Sequence, residues 1–171
     1  SSGEEAYSIA ILFDEVVRQR GEARNIKIFA TDVDPDAIAE ASAGQFSMNI
    51  AEDITEARLS RYFSRDGDLF AIVPNIRQTV IFATHNLIKD PPFSNINLAL
   101  CRNVLIYFQP EAQRRVLSML HFSLQKSGYL CLGGSESLGD LQNYFEIVNK
   151  KNRIFQKTSS QKFIPGTISS I

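Results

Sequence analysis

The stretch Ile96-Asn97-Leu98-Ala99-Leu100-Cys101-Arg102-Asn103 decides how the chain is read. Six mainly apolar residues form a compact run of the kind buried on both faces of a parallel sheet, and the run stops at a cation and an amide. Pro110 then opens a long amphipathic helix that the periodicity carries to about Lys126, with Val116, Leu117, Leu120 and Leu124 inward and Gly128 as its stop. A second apolar run, Tyr129 to Leu132, follows and ends at Gly133-Gly134-Ser135-Glu136. Strand, helix, strand, with polar residues at both strand ends, is the unit of a parallel α/β sheet.

The same grammar extends toward the amino terminus. Glu4 to about Arg20 has helical spacing, with Ile9, Leu12, Phe13, Val16 and Val17 expected on one buried face and Gly21 as the stop. Ile26 to Thr31 reads as a strand ending at Asp32, and Asp34-Pro35 as the cap and first turn of a helix closed by Gly44. Asp53 and Glu56 resemble a capping box ahead of Leu59, Tyr62 and Phe63. Leu69–Val73 and Thr79–Ala83 read as two strands joined by a Pro-Asn turn.

Toward the carboxyl terminus, Phe145–Val148 and Arg153–Gln156 flank Lys150-Lys151-Asn152 as a hairpin. The tail from Thr158 has the composition of a linker. The expectation is an α/β fold, mostly parallel, with a C-terminal antiparallel hairpin.

Composition bounds the function. The length of 171 residues suits one domain. Eighteen basic residues against nineteen acidic ones leave no global field to draw nucleic acid or anionic lipid. No run reaches the ~18 apolar residues of a membrane helix, and no secretion signal opens the chain, so an intracellular, cytoplasmic protein without membrane insertion is expected. Cys101 and Cys131 fit no zinc spacing; they read as two buried small hydrophobes, with a disulfide or metal as the alternative. With two histidines, His85 and His121, no metal site is expected.

Ligands of open parallel sheets sit beyond the carboxyl ends of the strands. The polar residues expected there are Asp32, then His85 and Asn86, then Arg102 and Asn103, then Gly133 to Glu136. Four polar strand ends point to a nucleotide-type site. Asp32 suits the ribose hydroxyls of a nucleoside, and equally a turn or helix cap before Asp34-Pro35. Gly3 and Glu4-Glu5 open the first helix, where small residues admit a ligand to backbone N–H groups and acidic residues also complement the helix dipole.

As an ordered set, these motifs resemble the chemotaxis-receptor glutamate methyltransferases of the CheR type. The similar segments are Ser2-Gly3-Glu4-Glu5-Ala6-Tyr7, Ala30-Thr31-Asp32-Val33-Asp34, Asn86-Leu87, Cys101-Arg102-Asn103-Val104-Leu105-Ile106-Tyr107-Phe108 and Leu132-Gly133-Gly134-Ser135-Glu136-Ser137, in order over about residues 1–157.

The resemblance implies a Rossmann-like class I methyltransferase sheet and S-adenosylmethionine as cofactor, with S-adenosylhomocysteine as product. It implies methyl transfer to glutamates on the cytoplasmic helical bundle of a chemoreceptor. By position, Gly3, Glu4 (or Glu5), Asp32, Asn86, Arg102 and Asn103 would contact the cofactor, and Arg102 and Tyr107 would carry the catalytic role beside the incoming glutamate. Residues from about 45 to 83 would be an inserted receptor-contact subdomain, in a methyltransferase domain of residues 1–157 followed by a tail of 158–171.

Two departures stand beside the resemblance. The chain starts at Ser1 inside the cofactor loop, so the family's first strand would be missing, which suggests a piece of a longer protein. Phe163–Ile171 is a candidate to fill the slot, though Pro165 and Gly166 suit a strand poorly. The connection from Asn86 to Asn95 is also short for a parallel crossover. Alternatives are a non-catalytic module that binds S-adenosylmethionine or docks a receptor, and a nicotinamide-dependent dehydrogenase, for which a GxGxxG loop is lacking.

Overall fold

The computed structural model describes residues 3–158 and divides the chain into two compact units, Ser1–Asn86 and Leu87–Ile171. The linker reading of 158–171 and the strand candidate Phe163–Ile171 fall outside the described residues, apart from Thr158.

The first unit opens with α1 (Glu4–Arg20), β1 (Ile28–Asp32) and α2 (Pro35–Ala43). Pro35 pre-sets the first helical turn of α2, and the Asp34 side chain accepts the Asp36 N–H at 2.9 Å. Gly21 and Gly44 end α1 and α2 in the left-handed region. The chain then forms β2 (Gln45–Ser47), α3 (Ile50–Asp53), α4 (Glu56–Tyr62), β3 (Phe63–Asp66), β4 (Leu69–Ile72), α5 (Pro74–Arg77) and β5 (Val80–Thr84). β1 and β5 are parallel, with Ile28 opposite Val80 and Asp32 opposite Thr84. β2, β4 and β3 make a separate antiparallel sheet in the order β2-β4-β3. That sheet occupies residues 45–72, and β5 returns the chain to β1.

Four expectations are corrected here. The buried face of α1 carries Tyr7, Ala10 and Ile11, while Leu12, Phe13 and Val16 are exposed. Apolar residues ring much of α1, so spacing alone left the phase open; the aromatic core chose it. Tyr7 packs edge-on against Phe46 at 5.9 Å, and Phe46 does so against Phe63 at 5.9 Å. Second, the capping box is absent. Thr55 caps α4 by accepting the Arg58 N–H at 3.4 Å, and Asp53 instead ends α3. Third, β4 and β5 are not joined by a turn. Pro74 starts the short helix α5 between them, and they belong to different sheets.

The second unit contains β6 (Ile96–Cys101), α6 (Pro110–Ser123), β7 (Leu124–Leu132), β8 (Phe145–Asn149) and β9 (Ile154–Lys157). Their sheet runs β6-β7-β9-β8; β6 and β7 are parallel, and β9 pairs antiparallel with both β7 and β8. The expected hairpin is β8–β9. The short Asn86–Asn95 connection makes no crossover within a ladder, because β5 pairs with β1 and β6 with β7.

The fourth correction concerns α6, which stops at Ser123 rather than near Lys126. Lys157 donates its ammonium to the carbonyls of His121 and Leu124, at 2.7 and 2.8 Å, and so satisfies orphan acceptors at the helix end. The core of this unit includes Leu105, Val116, Leu130, Leu132 and Leu141. Cys101 is buried and Cys131 half-buried, and the two are not joined in a disulfide. Among the described residues no helix is long and apolar enough to cross a membrane.

Candidate functional site

In the first unit, the parallel register of β1 and β5 brings Asp32 and Asn86 to one edge. Asp32 stands opposite Thr84, and the Asp32 carbonyl accepts the His85 N–H at 2.9 Å. Asn86 therefore follows directly beside Asp32 at the carboxyl rim. The Asp32 carboxylate accepts the Asp34 N–H at 3.1 Å, so it turns the chain into α2 with one oxygen. Both residues are half-buried. A carboxylate acceptor beside an amide that can donate and accept is a set that fits a nucleoside's hydroxyls and base edge.

Gly3 is the N-cap of α1, at φ 81, a left-handed conformation that favours glycine. It is buried, and a Cβ built there would lie 3.1 Å from the Ala41 Cβ and 3.2 Å from the Tyr7 ring. Gly3 thus seats the start of α1 closely against α2. Glu4 and Glu5 lie exposed in the first turn. Sequence reading attached no role to Tyr7, yet it is buried and donates its hydroxyl to the Ala41 carbonyl at 3.1 Å, and burial pushes its phenol up.

Two turns further along α1, Glu15 receives both Arg58 Nε and Nη2 at 2.8 Å, which holds its carboxyl below the usual range.

In the second unit, Cys101 is opposite Leu132, so the segments after β6 and β7 leave the sheet side by side. Arg102 and Asn103 are exposed on the first of them, and Gly133 and Gly134 begin the second. Asn103 is left-handed at φ 57. A 3-10 turn, Leu105–Tyr107, follows; Leu105 is buried beneath it, whereas Ile106 is 51% and Tyr107 81% exposed. The phenol is therefore open to solvent rather than packed on α6. Glu136, to which the sequence assigned only a place among the strand-end residues, is buried at 3% exposure and accepts three backbone N–H groups.

Polar residues thus gather at the carboxyl ends of parallel strands in each unit, the arrangement of an open α/β sheet that binds a nucleoside-containing ligand. Residues 1–154 match the family described as CheR methyltransferase, SAM binding domain, and the chain belongs to that family. S-adenosylmethionine is the cofactor of this domain family.

The chain is 47% identical over 91% of its length to an uncharacterized 104.1 kDa protein of Rhodobacter capsulatus, of which it covers 16%. It is 35% identical, over 86% of its length, to chemotaxis protein methyltransferase 1 of Pseudomonas aeruginosa. It is 34% identical, again over 86%, to the chemotaxis protein methyltransferase of Listeria innocua. It spans 56% and 58% of those two methyltransferases. Among solved structures, the N-methyltransferase NodS of Bradyrhizobium japonicum with S-adenosylhomocysteine aligns at a TM-score of 0.48 with 12% identity, over 78% of this chain and 67% of that one.

Proposed function

We propose that the chain is the S-adenosylmethionine-binding part of a cytoplasmic protein-glutamate O-methyltransferase that modifies glutamates on the cytoplasmic helices of a chemoreceptor. The observation that carries this reading is the family match across residues 1–154, joined to polar residues at parallel strand ends in each unit, Asp32 and Asn86 in the first and Arg102 and Asn103 in the second. The relatives named as chemotaxis methyltransferases support the substrate class.

Asp32 and Asn86 would hold the adenosine half, and Gly3 and Glu4 (or Glu5) the methionine half. When bound, S-adenosylmethionine supplies an electrophilic methyl group. An acceptor glutamate is already a nucleophile at neutral pH, so the chain needs no strong base. Arg102 neutralises and orients the acceptor carboxylate, and the exposed Tyr107 phenol donates to it. Asn103, left-handed at φ 57, would line the pocket between the cofactor and the acceptor. The antiparallel sheet β2-β4-β3 is the receptor-contact element in this reading.

The test uses the full protein that carries this domain. S-adenosylhomocysteine is titrated calorimetrically into the parent and into Asp32→Ala, and transfer of radiolabelled methyl to a chemoreceptor cytoplasmic fragment is followed in parallel. Binding that Asp32→Ala abolishes, with label lost when the acceptor glutamates are changed to glutamine, is the expected result. Binding without transfer would make the domain a sensing or docking module. A folded parent that does not bind would overturn the reading.

A further inference from the structure

Glu136 is 3% exposed, and a carboxylate that deeply placed needs partners. Its partners include three main-chain amides. Oε1 accepts the N–H of Val104 at 2.8 Å and of Leu105 at 2.7 Å; Oε2 accepts that of Gly133 at 2.6 Å. Val104 and Leu105 directly follow Arg102-Asn103 after β6, and Gly133 is the first residue after β7. Because Cys101 and Leu132 are register partners, one side chain clamps two neighbouring strand-end segments together. The clamp is tight. A Cβ on Gly133 would lie 2.7 Å from Glu136 Oε2, 2.8 Å from Asn103 Oδ1 and 2.9 Å from the Asn103 nitrogen. Asn103 itself holds φ 57, a conformation that persists where the surroundings over-determine it.

We propose that Glu136 is a positioning residue of the cofactor site, whose buried carboxylate fixes Asn103–Leu105 against Gly133 so that Arg102 and Asn103 meet their ligands in one conformation. The proposal rests on the methyltransferase reading above. Its chemistry is specific to a carboxylate, which accepts at both oxygens. A glutamine has one acceptor oxygen, so its NH2 would face either the Gly133 N–H or the Val104–Leu105 pair, donor against donor. An aspartate keeps both acceptors on a shorter stem.

The experiment compares the full protein with Glu136→Gln and Glu136→Asp. S-adenosylhomocysteine affinity, KM for S-adenosylmethionine, KM for the acceptor and the unfolding midpoint are measured for each. Hydrogen exchange of the Val104, Leu105 and Gly133 amides is followed in the parent.

Glu136→Gln is expected to weaken S-adenosylhomocysteine about tenfold, the loss of roughly one charged hydrogen bond. Acceptor KM should rise as well, because Arg102, the charge partner of the acceptor, stands on the segment that Glu136 fixes. Glu136→Asp should restore most of the affinity, and the three amides should be protected in the parent. The proposal is overturned if Glu136→Gln binds as the parent does, if both variants lose affinity only in step with their unfolding midpoints, or if the three amides exchange like open loop. A parent that fails to bind overturns the methyltransferase reading and this proposal together; a parent that binds equally with Glu136→Gln overturns this proposal alone.

Discussion

The hydroxyl of Tyr7 donates to the carbonyl of Ala41 at 3.1 Å, joining the second turn of α1 to the last turn of α2 across 34 residues of sequence. Gly3 closes on the same place, since its Cβ position is in contact range of both residues. The ring beneath the hydroxyl is fully buried against Phe46 and Phe82. Tyr7→Phe keeps the ring and removes only the donor, leaving an acceptor in the core. It should cost about 1 kcal/mol and lower Tm by roughly 3 °C. Thermal unfolding followed by circular dichroism checks this, and an unchanged Tm would mean the bond contributes nothing.

Gly133 and Gly134 should respond oppositely to alanine. A Cβ on Gly133 meets Glu136 and the Asn103 backbone nitrogen below 3 Å, whereas one on Gly134 meets nothing within 4 Å. Gly133→Ala should destabilise by about 1–3 kcal/mol through overpacking. Gly134→Ala should stay within about 0.5 kcal/mol of the parent. Urea midpoints of the two variants provide the comparison, and equal midpoints would contradict the close approach.

His121 is buried between the rings of Tyr144 and Phe145, its Nε2 has no hydrogen-bond partner among the described residues, and its pKa is lowered to about 4 by burial first and by Lys157 second. Between about pH 6.5, the ordinary histidine value, and about pH 4, the unfolded chain therefore binds a proton that the folded chain refuses. Stability should fall as pH drops through that window, by about 3 kcal/mol in all, and this residue should contribute no slope above it. Denaturant unfolding at pH 7.5 and pH 5 measures the effect. His121→Leu should flatten the acid-side slope, and a slope unchanged by the substitution would assign it to other groups.

Arg102→Ala should separate the two substrates. As the charge partner of the acceptor carboxylate, Arg102 should raise acceptor KM by roughly tenfold or more when removed, while KM for S-adenosylmethionine changes by less than about twofold. Steady-state kinetics against both substrates decide it. Equal effects on the two would remove the acceptor role and leave Arg102 as a cofactor contact.

What could be read from the sequence was local. Asp34-Pro35 fixed the start of α2 because a capping side chain and a locked φ act within four residues. Pro110 fixed the start of α6 by its locked φ alone, without a side-chain cap, and Lys150-Lys151-Asn152 marked the β8–β9 turn. The polar residues expected at strand ends do lie there, ending β1 and following β5, β6 and β7, because an apolar run and its polar stop are adjacent in the chain.

Other features depended on partners distant in the chain. The face that α1 buries was set by the Tyr7–Phe46–Phe63 aromatic contacts, since apolar residues on more than one face make spacing ambiguous. In the sheet β2-β4-β3 only β4 was legible as an apolar run; β2 and β3, of three and four residues, are too short to leave a periodic signal. α6 ended where Lys157 reached its carbonyls. Glu136 looked like one more polar residue after an apolar run; only folding put its carboxylate against amides 31 and 32 positions earlier. Capping, turns and composition are short-range effects that residues carry with them, whereas helix phase, strand partnership and a buried charge's hydrogen bonds exist only once distant segments meet.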